Sequence, residues 1–244
     1  MTRIGDTSVI SLLGEIVEIF SVLRNTKQMI TRKIATFAAI LISSNLYAPA
    51  QTLDPDQRQM LEVHSSPSIW DADVGNGFRK GVTDVGFKLD GGIGLSVFGS
   101  TTAHDLVLTT IHYGRFGRVM GRGKWYQGNW ELRGEFFAGG QYSPQSAYVV
   151  GVTPVLRYTF STGTRWVPFF DAGAGVTATD IKQPDLSTVF QFNDQAGPGV
   201  LFLCRNNVAL TAQARFLHIS NAGIEKPNHG VNTIMISAGM SWFF

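Results

Sequence analysis

The sequence predicts an all-β fold: an eight-stranded antiparallel transmembrane β-barrel, preceded by a cleavable signal peptide. Three observations predict it. From about Val85 the chain runs in segments of roughly ten residues that alternate apolar and polar side chains between turn residues, the pattern of barrel strands with one face in lipid. Beyond the leader no apolar stretch is long enough for a membrane helix, whereas the chain carries 27 glycines, 17 phenylalanines, six tyrosines and five tryptophans, a composition that suits strands and turns. Finally, the chain ends Ser241-Trp242-Phe243-Phe244, and a terminal aromatic after alternating residues resembles the insertion signal of outer-membrane barrels.

Taken in order, the N-terminal third divides into three parts. Residues 7 to 23 have an apolar helical pattern, but Glu15 and Glu18 interrupt it and it is short for a bilayer span. Met29 begins a better leader: basic Arg32 and Lys33, the apolar run Ile34 to Ile42, then small residues ending Ala48-Pro49-Ala50. That is the order of charged, apolar and cleavage regions in a signal peptide. We therefore expect translation from Met29, with 1–28 an upstream extension, 29–50 the signal peptide, 51–84 a periplasmic N-terminal segment and 85–244 the barrel. A buried N-terminal helix is the alternative for the apolar run. Asp54-Pro55 suits the start of a short helix through Glu62, and Ser65-Ser66-Pro67 its end.

Eight alternating segments follow, near 91–99, 104–115, 127–141, 146–160, 165–178, 188–203, 207–218 and 232–244. Parity separates two faces. In the fourth, Tyr148, Val150, Val152, Leu156 and Tyr158 alternate with Gly151, Thr153, Arg157 and Thr159; in the third, Trp130, Leu132 and Phe136 alternate with Glu131, Arg133 and Glu135. One face suits lipid and the other a polar interior. A barrel of eight strands is narrow enough for side chains to fill it, so Glu131, Arg133, Glu135, Arg157, Asp171, Gln213 and Arg215 should pair there, which argues against a pore.

Composition bounds the rest. About 190 residues remain after cleavage, one domain by length. The net charge of +2 implies no bulk attraction to nucleic acid. The single cysteine, Cys204, excludes an internal disulfide, and His64, His104, His112 and His229 show no metal spacing, so no metal or other cofactor is implied.

The chemistry concentrates in Arg215-Phe216-Leu217-His218-Ile219-Ser220-Asn221-Ala222-Gly223 and in Pro227-Asn228-His229-Gly230-Val231-Asn232. Side chains at i and i+2 share one face of a strand, and an imidazole beside a hydroxyl is the minimum for a base-activated nucleophile. His218 and Ser220 continue the column Val208, Leu210, Ala212, Ala214, Phe216, which faces lipid. Asn232 leads a similar column, and Asp194 lies among Phe190, Phe192 and Ala196. Polar groups on a lipid face are costly and by default functional; the alternative is that they sit at headgroup level. A turn centred on Asn206 puts Asp194 opposite His218, and a loop centred on Glu225 puts Asn232 opposite it from the other side.

The run His218-x-Ser220-Asn221-Ala222-Gly223, with Pro227-Asn228-x-Gly230, resembles the PagL-type lipid A 3-O-deacylases. Looser likeness extends through Phe192-Asn193-Asp194 and Pro168-Phe169-x-Asp171-Ala172-Gly173-x-Gly175. The resemblance implies a barrel of the bacterial outer membrane that hydrolyses the ester-linked 3-hydroxyacyl chain at position 3 of lipid A. It implies Ser220 as nucleophile, His218 as base, and the Asn228 side chain and Gly223 N–H as oxyanion donors. The best-known members carry a glutamate where this chain has Asn232, so Asp194 becomes the second candidate for third catalytic member, and we expect Asp194→Asn to cost more than Asn232→Ala. The expected partners are lipid A within lipopolysaccharide and the outer membrane, but not nucleic acid; a homodimer is left open. Two other readings stand beside this one: a non-enzymatic structural or adhesin barrel, and a phospholipase or acyltransferase using the same nucleophile.

Overall fold

Eight antiparallel strands close on themselves in chain order: β1 (Thr83–Leu95), β2 (Asp105–Met120), β3 (Gly128–Ser143), β4 (Ala147–Phe160), β5 (Trp166–Thr179), β6 (Phe190–Arg205), β7 (Val208–Ser220) and β8 (Val231–Phe243), with β8 pairing back onto β1. The computed structural model describes residues 68–182 and 184–244, which fall within one compact unit, Ser65–Phe244. The expected upstream extension, signal peptide and helix at 54–62 lie outside the described residues, as does the first half of the expected periplasmic segment, 51–67.

Strand closure satisfies every ladder without a free edge, the condition for β-structure in lipid. The outward face is the apolar one: Phe87, Ile111, Leu132, Phe136, Leu156 and Phe170 are all exposed. The first strand differs from expectation. It starts at Thr83 rather than near 91, because Asp84, Lys88 and Asp90 point inward while Val85, Phe87 and Leu89 point outward. The glycine-rich end of this alternation obscured it in the sequence, and residues 96–104 form the β1–β2 loop. The second strand runs on to Met120 past an irregularity between Phe116 and Val119.

The polar network forms at mid-height, and it is larger than the expected set. Arg215 Nη1 donates to Glu135 at 2.6 Å and its Nη2 to Asp171 at 2.7 Å; Arg157 Nη2 donates to Asp171 at 2.8 Å. Arg133 bridges Asp84 and Glu131, and Lys88 reaches Glu135 at 3.3 Å. The interior is not polar throughout, however. At the end holding both barrel termini, Trp70 and Phe78 enter the mouth and pack with Phe116, Val167, Phe169 and Phe243. At the opposite end Leu106, Phe137, Leu217 and Ile219 pack with the loop residues Ile181 and Leu186. Two apolar plugs therefore shield the charges from water, which strengthens each pair by lowering the local dielectric.

Candidate active site

The register brings together what the sequence spaced apart. In β7 the residues Ala209, Thr211, Gln213, Arg215, Leu217 and Ile219 are buried in the barrel, so the intervening positions, His218 and Ser220 among them, face outward. Asp194 of β6 pairs with His218 on one side, and Asn232 of β8 pairs with it on the other. Ser220 pairs with Phe192.

These four residues do not make equal contacts. Asn232 is fully buried although its parity points outward, because the β1–β2 loop covers it. Its Nδ2 donates to the Val97 carbonyl at 2.7 Å, and its Oδ1 lies 2.7 Å from His218 Nδ1. A main-chain carbonyl can only accept, so the amide group must turn its NH2 toward Val97 and its oxygen toward the histidine. His218 Nδ1 must then carry the proton and donate it to Asn232, leaving Nε2 with a free lone pair. Asp194, by contrast, is exposed and has no hydrogen-bond or ion-pair partner among the described residues. Ser220 Oγ likewise has none, so the serine and histidine share a face without yet sharing a proton. Catalytic hydrogen bonds often tighten only in the complex with substrate.

The loop after β7 is organised by Asn221, whose part sequence reasoning missed. Its N–H donates to Asn228 Oδ1 at 2.9 Å, its Oδ1 accepts the Gly223 N–H at 2.9 Å, and its Nδ2 donates to the Glu225 carbonyl at 2.7 Å. Ala222 and Gly223 both adopt positive φ, at 55° and 79°, which turns the chain sharply beside the serine. Of the two expected oxyanion donors, Gly223 N–H is therefore engaged by Asn221, while the Asn228 NH2 has no partner among the described residues.

Gly230, which belongs to the same motif, lies against the histidine. With φ at +80°, a Cβ there would lie 2.7 Å from His218 Cε1, so the bare backbone forms a wall against the imidazole. That wall is held by Asp185, whose carbonyl accepts the His229 N–H at 2.9 Å and the Gly230 N–H at 3.4 Å. The Asp185 carboxylate accepts the Thr101 N–H and hydroxyl, both at 2.8 Å, the Thr102 N–H at 3.0 Å and His104 Nε2 at 2.8 Å. One residue of the β5–β6 loop thus ties down both loops that touch Asn232 and His218. Nothing in the spacing of the sequence signals it.

Burial pushes the Asp185 carboxyl up, but the Thr101 amide, the His104 ring and the Thr101 hydroxyl outweigh this and hold it below the usual carboxylate range. A folded pKa below the unfolded one contributes stability in full above the ordinary carboxylate value, and loses it as pH falls through the lowered one. The carboxylate of this Asp185 latch should therefore stay ionised near neutrality and give up this contribution only in acid. Asp185→Ala is expected to cost about 1–3 kcal/mol of local stability through the orphaned donors. Hydrogen-exchange protection of the Thr101 and Thr102 amides would measure it; unchanged protection would remove the latch.

Comparison with known proteins follows the same region. A family model described as lipid A 3-O-deacylase (PagL) matches residues 111–241. A lipid A deacylase PagL of Bordetella bronchiseptica is 31% identical over 123 residues, covering 46% of this chain and 65% of that protein. The protein of the same name from Pseudomonas aeruginosa is 30% identical over 109 residues, covering 43% of this chain and 60% of its own length. The chain thus spans a little under two thirds of each of these relatives. Among solved structures, the outer membrane enzyme PagL matches with a TM-score of 0.44 at 20% identity, covering 64% of this chain and 97% of that one. Neisserial surface protein A matches with a TM-score of 0.48 at 15% identity, covering 68% and 100%.

Proposed function

This chain belongs to the lipid A 3-O-deacylase (PagL) family, and from that premise we propose that it is a serine esterase that removes the 3-hydroxyacyl chain from position 3 of lipid A. The eight-stranded barrel resides in the bacterial outer membrane. The observation that carries the proposal is the outward histidine with its Nδ1 proton committed to Asn232, beside an outward serine.

In this reading His218 Nε2 takes the Ser220 hydroxyl proton as Oγ attacks the ester carbonyl carbon. The bond to the sugar oxygen breaks, and His218 returns the proton to that oxygen. A water, deprotonated in turn by His218, then releases the 3-hydroxy fatty acid and restores the serine. Charge on the tetrahedral oxygen is met by donors preset for it: the Asn228 NH2, which is free to turn inward, and the Gly223 N–H once it leaves Asn221.

The Val97 carbonyl explains why an amide serves where the resemblance leads one to expect a glutamate. A carboxylate at position 232 would set an anion against a carbonyl oxygen, whereas the amide satisfies both neighbours. Asn232 is then the positioning partner of the histidine, and Asp194, opposite His218 but bonded to nothing among the described residues, adds at most a charge beside it. On this reading the expected order of effects is the opposite of the one the sequence suggests. Asn232→Ala should lower kcat by about a hundredfold, the scale of a misoriented general base. Asp194→Asn should lower it by less than about fivefold, as for one exposed charge pair. Deacylation kinetics on purified lipid A would check this, and a larger loss for Asp194→Asn would return the third role to the carboxylate. The class itself is tested by mass spectrometry of lipid A from cells with the intact serine and with Ser220→Ala. A transferred chain or a lysophospholipid as product would mark an acyltransferase or phospholipase instead.

A further inference from the structure

We infer that Phe98, in the β1–β2 loop, is a specificity-determining residue: its ring, with that of Phe216, forms the wall against which the substrate's acyl chain lies. The inference rests on the esterase reading and adds to it a residue outside the sequence motif.

Phe98 is 82% exposed, and its φ is 54°. A bulky residue in the left-handed region is a genuine outlier, and such strain collects at ligand clamps. The conformation is held from both sides. The preceding carbonyl, of Val97, accepts from Asn232 Nδ2 at 2.7 Å and from the Ser100 N–H at 3.1 Å, and the following residue, Gly99, has φ at 94°. The ring is thereby directed onto Phe216, edge-on with centroids 6.1 Å apart. Phe216 stands two residues before His218 on the same outward face, paired with Ala196 on one side and Ile234 on the other. Across the site Phe192, opposite Ser220, packs against Phe190 with centroids 5.3 Å apart.

An ester carbonyl presented to Ser220 must send its alkyl chain along this outward face, between the Phe98–Phe216 wall and the Phe190–Phe192 pair. The backbone under Phe98 is pinned through the Val97 carbonyl, and an apolar surface held in place discriminates chains by how completely they fill it. It also touches the chemistry: a chain that displaces Phe98 drags the Val97 carbonyl, and with it the amide that orients His218. Misfit should therefore lower kcat as well as raise KM.

The test is kcat and KM of the full chain, folded in detergent, on synthetic 3-hydroxyacyl glucosamine esters of graded chain length. Phe98→Gly suits the left-handed backbone and removes the wall, and Phe98→Trp enlarges it. The ratio of kcat/KM between the longest and shortest chains should move by about tenfold in Phe98→Gly and in the opposite direction in Phe98→Trp, the scale of a methylene-sized misfit in an apolar site. Trp125→Ala, in the exposed β2–β3 turn, should leave the ratio where it is. A ratio unmoved in both Phe98 variants overturns the inference while leaving the esterase intact, as does an equal loss on every chain length. Should the glycine variant fail to fold, the tryptophan and a Phe98→Leu variant decide by the same ratio. A wild type that cleaves none of the series overturns the esterase reading, and this inference with it.

Discussion

Ser220→Ala is expected to reduce lipid A deacylation by about three orders of magnitude or more while leaving the barrel folded. The size follows from the hydroxyl's place in the proposed sequence: without it no acyl-enzyme forms, and what persists is the smaller catalysis that binding and oxyanion donors supply alone. The folding half of the expectation follows from the structure. Ser220 is the last residue of β7, and its hydroxyl has no hydrogen-bond partner among the described residues, so removing it leaves no buried group unpaired. Mass spectrometry of lipid A from cells expressing each form measures the first half, and heat-dependent migration of the barrel in detergent the second. An alanine variant that still strips one 3-hydroxyacyl group would sink the nucleophile and leave the adhesin-type reading to be weighed anew.

Arg215→Met is expected to destabilise the barrel by about 3–5 kcal/mol, the usual cost of removing one member of a buried charge network. The guanidinium is only 4% exposed and binds two carboxylates at once: Asp171 through Nε at 3.0 Å and Nη2 at 2.7 Å, and Glu135 through Nη1 at 2.6 Å and Nη2 at 3.0 Å. The methionine would leave both acids with fewer cations in a space sealed at each end by apolar side chains. Urea unfolding in lipid vesicles would measure the loss. Adding Glu135→Gln and Asp171→Asn to the variant should recover part of it, because the orphaned charges go with their partner. A loss under about 1 kcal/mol would mean that water reaches the interior and screens the network.

Much of this barrel could be read from parity alone. Alternation in Glu131-Leu132-Arg133-Gly134-Glu135-Phe136 places three charges on one side whatever the neighbouring strands do, since a strand repeats every two residues. The outward positions of His218 and Ser220, and their pairing with Asp194 and Asn232, followed from the same period and from hairpin symmetry. Glycine-rich 91–94 misled because glycine has no side chain to mark a face, so β1 was expected several residues late. The apolar ends of the interior were equally silent, as Leu106 or Ile219 on an inward position looks no different from a lipid-facing residue until the strands are aligned.

What the chain's own order determined is the closed sheet, its two faces, and the column on which a hydroxyl and an imidazole meet the membrane, because these depend on short-range periodicity. What only the tertiary structure decided is how that imidazole is held. The Val97 carbonyl, the Asn232 amide, the bare backbone of Gly230 and the Asp185 latch come from four separate stretches of chain. Loops have no repeating pattern that announces where their carbonyls will point, so which of Asn232 and Asp194 bonds the histidine had to wait for their packing.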